Sequence, residues 1–443
     1  MQRDLTDGGV FKTLASFSLP FLLAYFLQTF YGLADLFIVG QYADAPVITA
    51  VAVGSQVMHM LTVMIVGLAM GTTVMISRAV GGKDYGAVGG TIGNSICMFS
   101  VLSVVACLLL LAFVDEIISL MSTPVESVAQ TRQYLSICFS GVPFIVAYNI
   151  ICSIFRGLGD SKSPMYFVAV ACVLNVLLDY LFVGVLGMKA EGAAYATVAA
   201  QFSSVLFSVI LIRGRRSDFH MKRQLLRPQG AYLKNIMRIG LPISLQDGFI
   251  QVSFLVITVI ANRRGVEVAA AVGIVEKIIC ILFLVPSSML SAVSAIAAQN
   301  LGAGKPFRAH ATLRYGILVC FLYGLLPGLL LQFFSEETVS LFTSDATVVV
   351  LGGEYLRTYV WDCSLAGVHF CFSGYFCACG MSIVSFIHNV LSIVLVRVPG
   401  AYFASVHFPD DLSPMGMAAP LGSLLSVLIC VGVYWWVKRS SKT

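Results

Sequence analysis

The chain has 443 residues, 58% of them hydrophobic and only 11% charged. A soluble domain carries about 25% charged residues, and no soluble core of this length hides so much apolar surface, so lipid is the implied solvent. Disorder, a disulfide-stapled secreted fold and a soluble α/β enzyme are excluded, and a net charge of +5 is too mild for a nucleic-acid partner.

A bilayer core about 30 Å thick needs about 20 apolar residues of helix. Runs of that kind fall at 14–39, 48–77, 92–114, 131–155, 164–186 and 192–212, then at 236–260, 267–298, 312–334, 349–376, 383–404 and 416–437. In lipid the backbone must satisfy itself, and runs this long do so only as helices. The expected fold is all-α and integral to the membrane: twelve transmembrane helices in two six-helix lobes related by a pseudo-two-fold axis along the membrane normal. The lobes occupy 1–212 and 236–443, with a basic linker at 213–235 between them. Residues 1–17 do not read as a cleavable signal, because they mix acids with bases and offer no small-residue cleavage site.

Basic residues set the orientation. Twenty Lys and Arg residues lie at the termini, in the even-numbered loops and in the linker, against Lys189, Arg263 and Arg264 in the other loops. The latter loops are acidic instead, with Asp115, Glu116, Glu126, Glu336, Glu337, Asp410 and Asp411. Both termini and the linker are therefore expected in the cytoplasm, with the protein in the plasma (inner) membrane. The twelve cysteines sit in apolar stretches and read as small hydrophobes. Cys371, Cys377 and Cys379 bunch near His369 and His388 without a zinc spacing, so no metal centre is expected there.

The chain also repeats itself. Leu19-Pro20 recurs as Leu241-Pro242, Ser119-Leu120 as Ser340-Leu341, Tyr134-Leu135 as Tyr355-Leu356, and Gly159 as Gly380, at offsets of 221 or 222. Duplicated six-helix halves with a site between or within them are a transporter design. The intramembrane acids are not duplicated: Asp35 and Asp179 correspond to Ile257 and Gly400, Asn175 to Val396, and Thr197 to Ala418. At a rise of 1.5 Å per residue, Asp35, Asp179 and Thr197 all lie about 8–10 Å below the outer ends of their spans. Asn175 and Asp179 share a helix face, and Gln28, Tyr31 and Asp35 draw a polar stripe along the first span. A charge at that depth is seldom kept without a use. Carboxylates, an amide and a hydroxyl are hard ligands suited to Na⁺, and paired carboxylates also serve as a proton site. The alternative is that each acid is a satisfied structural group near an interface. Pro20 removes a helix hydrogen bond and reads as a bend in the first span.

Several stretches carry a resemblance. They are Ser18-Leu19-Pro20; Asp35 ahead of Phe37-Ile38-Val39-Gly40; Arg156-Gly157-Leu158-Gly159-Asp160-Ser161-Lys162-Ser163-Pro164; Asn175 with Asp179; Gly192-Ala193-Ala194-Tyr195-Ala196-Thr197; and Ala298-Gln299-Asn300-Leu301-Gly302-Ala303. Over essentially its whole length the chain resembles the multidrug and toxic compound extrusion (MATE) transporters, in the branch whose cation site lies in the N-terminal lobe. The resemblance implies two lobes forming a V and export of bulky, often cationic drugs against inward H⁺ or Na⁺ by alternating access. It assigns the cation or proton site, and the ligands if the ion is Na⁺, to Asp35, Asn175, Asp179 and Thr197. Gln28, Tyr31 and Asn149 fall to the substrate cavity and Pro20 to a hinge. Other family members place carboxylates in spans seven and ten. Asp247 and Asp362 stand on those helices out of the family register, and neither they nor Glu276 and Lys277 of span eight receive a coupling role.

The expected partners are small organic cations and membrane lipid, with no nucleic acid, no cofactor beyond the coupling ion, and a monomeric state. A lipid-linked sugar flippase of the same superfamily is the nearest rival, but such proteins often carry extra helices and a strongly cationic cavity, whereas the bases here are few (Lys277, Arg357, Arg397, Arg132). Gly157-Leu158-Gly159-Asp160 spells the motif of an intramembrane aspartyl protease, yet the Tyr-Asp pair that such an enzyme needs is missing from the sequence. Neither enzymatic activity nor nucleotide-driven transport is expected, the latter for want of a phosphate-binding loop.

Overall fold

The computed structural model describes residues 4–214 and 227–440. Most of the basic linker, with Arg215, Arg216, Lys222 and Arg223, lies outside the described residues. Among those described, the regular elements are all helical. The first half contains α1 (Val10–Tyr42), α2 (Ala45–Gly81), α3 (Tyr85–Ala112), the short α4 (Val114–Leu120), α5 (Val125–Ser140), α6 (Val142–Gly157), α7 (Lys162–Asp179) and α8 (Lys189–Gly214). The second contains α9 (Gly230–Asn262), α10 (Val266–Leu282), α11 (Leu284–Gly302), α12 (Pro306–Ser340), α13 (Ala346–Tyr359), α14 (Asp362–Ala378), α15 (Ser382–Ser392), α16 (Val398–His407) and α17 (Ser413–Ser440).

Among the described residues ten helical segments are long and apolar enough to cross a membrane, and the pair α5–α6, bent by 47°, makes an eleventh if it is one span. Helices α13 and α14, of 14 and 17 residues, are each too short to cross alone. Together they take the place of α5–α6 in the second half. Large apolar side chains face outward along the spans, as at Phe37 (68% exposed), Leu108 (63%) and Phe333 (78%). Water would oppose such a surface, whereas lipid solvates it.

The sequence repeat is a repeat of helix boundaries. Adding 221 carries Ala45–Gly81 onto Val266–Gly302, the outer limits of α10 and α11, and Val125–Gly157 onto Ala346–Ala378, the limits of α13 and α14. It also carries the α3/α4 break at Phe113 onto Phe334, the non-helical residue inside α12. Gly159 and Gly380 both turn with positive φ (85° and 78°), as only glycine does without strain. Where the halves differ, proline explains two cases. Pro286 has no N–H for the Leu282 carbonyl, so span eight breaks at Phe283 while its counterpart α2 runs on. Pro399 likewise follows the π turn Ile393–Arg397. A second π turn, Tyr180–Val185, begins directly after Asp179. Such turns concentrate at functional sites.

Contacts divide the chain into two compact units. Unit 1 contains Leu23–Gly240, and unit 2 contains Leu5–Leu22 with the chain from Leu241 onward. The boundaries fall within α1 and α9, two residues after Pro20 and one before Pro242.

In unit 2 the segment ahead of α1 is held tightly. The Leu5 N–H donates to Gln299 Oε1 at 2.8 Å and Asn300 Nδ2 donates to the Leu5 carbonyl at 3.3 Å. Lys305 Nζ reaches Asp7 Oδ1 at 2.9 Å, and Arg308 Nη1 the Gly8 carbonyl at 2.9 Å. The Gln299-Asn300-Leu301-Gly302 motif thus anchors the opening segment. Unit 1 holds the start of α9 differently: the Gln229 N–H donates to Asn94 Oδ1 at 2.6 Å, and two glycines permit backbone contact. A Cβ on Gly71 would land on the Ile236 carbonyl, and one on Gly240 on the Leu68 carbonyl. Gly71 and Gly240 therefore serve close helix packing within the chain.

Candidate ion and substrate site

The predicted residues of unit 1 lie on three helices. Asp35 is on α1 and 5% exposed; Asn175 and Asp179 are on α7, at 1% and 0%. Thr197 is half-buried on α8, which Ser204 Oγ ties to α7 by donating to the Phe167 carbonyl at 2.8 Å. The charge of Asp35 acts on Asp179, Tyr31, Tyr134 and Cys138, so the two carboxylates occupy one electrostatic neighbourhood.

None of Asp35 Oδ1, Asn175 Oδ1, Asn175 Nδ2 or the two Asp179 oxygens has a hydrogen-bond partner, although all are buried. Buried polar atoms are paired in folded proteins with few exceptions. An ionised carboxylate stripped of water and partners costs several kcal/mol. Two such carboxylates in one electrostatic neighbourhood call for a proton or a cation to cancel their charge. The donor set of carboxylate and amide oxygens, with the Thr197 hydroxyl on the neighbouring helix, fits H⁺ or Na⁺. No cluster of three or more His, Cys, Asp or Glu that could hold a metal occurs among the described residues.

The cavity residues divide. Tyr31 is hydrogen-bonded by the Gln201 side chain, whose own Oε1 is buried without a partner. Gln28 is half-buried on the same helix as Tyr31. Asn149 spends its Nδ2 on the Ile145 carbonyl of its own helix at 2.8 Å. Pro20, expected as a hinge, is buried inside α1 and belongs to unit 2, whereas Asp35, Asn175, Asp179 and Thr197 belong to unit 1. Sequence reasoning missed Gln201 and the Tyr134–Ser55 hydrogen bond (3.1 Å). Gln201 could have been found, since it lies four residues, one helical turn, after Thr197.

Asp160, the residue behind the protease motif, is committed elsewhere. Its Oδ1 accepts from the Lys162 and Ser163 N–H groups, both at 3.0 Å, and its Oδ2 from the Ser163 hydroxyl at 2.6 Å. The motif is a glycine turn followed by a helix cap. Arg132 and Arg357 pair with Asp115 and Glu336 at exposed or partly exposed positions, whereas among the described residues of unit 2 Arg397 is the buried arginine.

Two helical repeats, lipid-facing surfaces and unpaired carboxylates within one of them define an integral multi-pass membrane transporter. Known structures share the fold: a MATE protein crystallised in complex with MaL6 superposes with a TM-score of 0.91 at 23% identity, over 99% of both chains. An outward-facing multidrug resistance MATE transporter of the MOP superfamily gives 0.90 at 24%, over 99% of this chain and 97% of that one. The MatE family model matches twice, over 20–181 and 242–403, and the chain belongs to the MatE family. Among curated relatives, the probable multidrug resistance protein YoeA of Bacillus subtilis is 26% identical over 440 residues, covering 98% of this chain and 95% of that one. YpnP of the same organism, also described as a probable multidrug resistance protein, is 28% identical over 397 residues, covering 89% and 88%.

Proposed function

We propose that the protein is a secondary active multidrug efflux antiporter that exports amphipathic organic cations in exchange for H⁺ or Na⁺ by alternating access. It works as a monomer in the plasma (inner) membrane, surrounded by lipid, with both termini in the cytoplasm. The observation that carries this reading is the set of buried, unpartnered oxygens on Asp35, Asn175 and Asp179. Drug export is supported by family membership and by the multidrug resistance names of the relatives.

In this reading the ion neutralises the carboxylate pair, with Asn175 and Thr197 supplying further oxygens, and so favours one arrangement of unit 1. The organic cation, bound along Gln28, Tyr31 and Asn149, favours the other. A ligand moves an equilibrium only by as much as it discriminates between the two states, and a site whose charge must be cancelled discriminates strongly. Pro20 and Pro242, each beside a unit boundary, are the positions where α1 and α9 bend.

Efflux of a fluorescent organic cation from proteoliposomes, driven first by a Na⁺ and then by a pH gradient, tests this. Gradient-driven export by the wild type that falls at least tenfold in both Asp35→Asn and Asp179→Asn is the expected result. Full efflux in either variant overturns the site assignment. Absence of cation transport under both gradients overturns the substrate assignment and directs attention to lipid-linked substrates.

A further inference from the structure

Unit 2 buries charges that the exchange above does not use. Asp362, at the start of α14, is 1% exposed with neither oxygen hydrogen-bonded, and Glu276 on α10 keeps Oε1 buried and unpartnered. Both feel the charge of Arg397, the last residue of the π turn Ile393–Arg397 and 8% exposed. Its Nη2 donates to the Tyr359 hydroxyl at 2.6 Å, and its guanidinium carbon lies 4.7 Å from the centre of the Phe254 ring. Asp362, Tyr355 and Glu276 all lie within electrostatic reach of that guanidinium, and Lys277 within reach of Glu276.

The repeat register says what place this is. Tyr355 and Tyr359 come 221 positions after Tyr134 and Cys138, the residues on which the Asp35 charge acts. Glu276 comes 221 after Ser55, the hydrogen-bond partner of Tyr134. The same corner of the helix plan thus faces a carboxylate in unit 1 and a guanidinium in unit 2.

We propose that Arg397 is a tethered cation filling unit 2's counterpart of the coupling site, so that exchange runs through unit 1 alone. A guanidinium stays charged at every pH the protein meets, and its attachment to the backbone gives it no second state to occupy. A mobile cation entering beside it would meet like charge in a medium of low dielectric. The carboxylates of Asp362 and Glu276 lie in the field of that guanidinium, which already offsets part of their charge. The inference rests on the reading of Asp35 and Asp179 as the coupling site.

The test counts coupling ions exchanged per organic cation, taken from the imposed gradient at which net flux reverses in proteoliposomes of the full-length protein. Wild type, Arg397→Lys and the double variant Asp362→Asn/Arg397→Gln, which removes opposite charges together, are expected to share one count. Arg397→Gln alone frees the two acids and is expected to double it. A folded Arg397→Gln, monodisperse on size exclusion, with an unchanged count overturns the proposal. So does a double variant whose count falls below that of wild type, and this arm decides even if Arg397→Gln fails to fold. Gradient-driven transport that survives Asp35→Asn is a separate readout, and it overturns the unit 1 reading instead.

Discussion

Units 1 and 2 share a helix plan to within a residue at most boundaries, yet they spend buried charge in opposite ways. In unit 1 the carboxylates of Asp35 and Asp179 are buried without partners, so this corner is stable only with something borrowed from solution. In unit 2 the acids Glu276 and Asp362 lie within electrostatic reach of Arg397, so a cation supplied by the chain stands in their neighbourhood. Duplication supplied two equivalent frames, and in the proposed reading one is left incomplete for exchange while the other is closed by a side chain.

That contrast predicts opposite responses to neutralising a charge. Arg397→Ala breaks a buried ionic cluster and strands two acids, a loss of about 3–5 kcal/mol for such groups. The protein should melt markedly earlier in detergent. Asp179→Asn removes a carboxylate that nothing in the protein pairs, so at high pH without Na⁺ it should raise the melting temperature by an amount corresponding to about 1–3 kcal/mol, while it abolishes coupled export. Equal destabilisation by the two variants would erase the distinction between the units.

The comparison sharpens further where each unit holds the other half's helix. Gly240→Ala drives a methyl group into the Leu68 carbonyl, an overpacking cost of about 1–3 kcal/mol, visible as a lower melting temperature and faster proteolysis near the start of α9. The smallest effect is expected at Asp160→Ala, which loses a helix cap of about 1 kcal/mol. Because this carboxylate caps the end of α7 opposite Asp179, efflux per folded molecule should stay at the wild-type rate.

Much of the fold was legible because the lipid code is simple: long apolar runs, a basic bias in alternate loops and a constant repeat offset. Asp35 and Asp179 were conspicuous for the same reason, as acids stand out in stretches such as 164–186. The interruption of span eight was less visible, since Pro286 sits inside an otherwise unbroken apolar run. Residues 5–22 could not be assigned to unit 2 from the sequence, because their partners Gln299, Asn300, Lys305 and Arg308 lie nearly 300 positions away and leave no local pattern. Arg397 became interpretable only when the repeat register placed it opposite the Asp35 neighbourhood.

The crossed segments of α1 and α9 also dictate an order of assembly. Unit 1 is not complete until the ribosome has passed Gly240, for α9 must first supply Ile236 to Gly71 and Gly240 to Leu68. Residues 5–8, the first of these to be made, find their partners only once Gln299 to Arg308 have emerged. Through most of synthesis residues 5–8 therefore lack their partners, and their capture by unit 2 is among the last steps of folding. A chain cut at the linker would separate each half from a piece of its own unit.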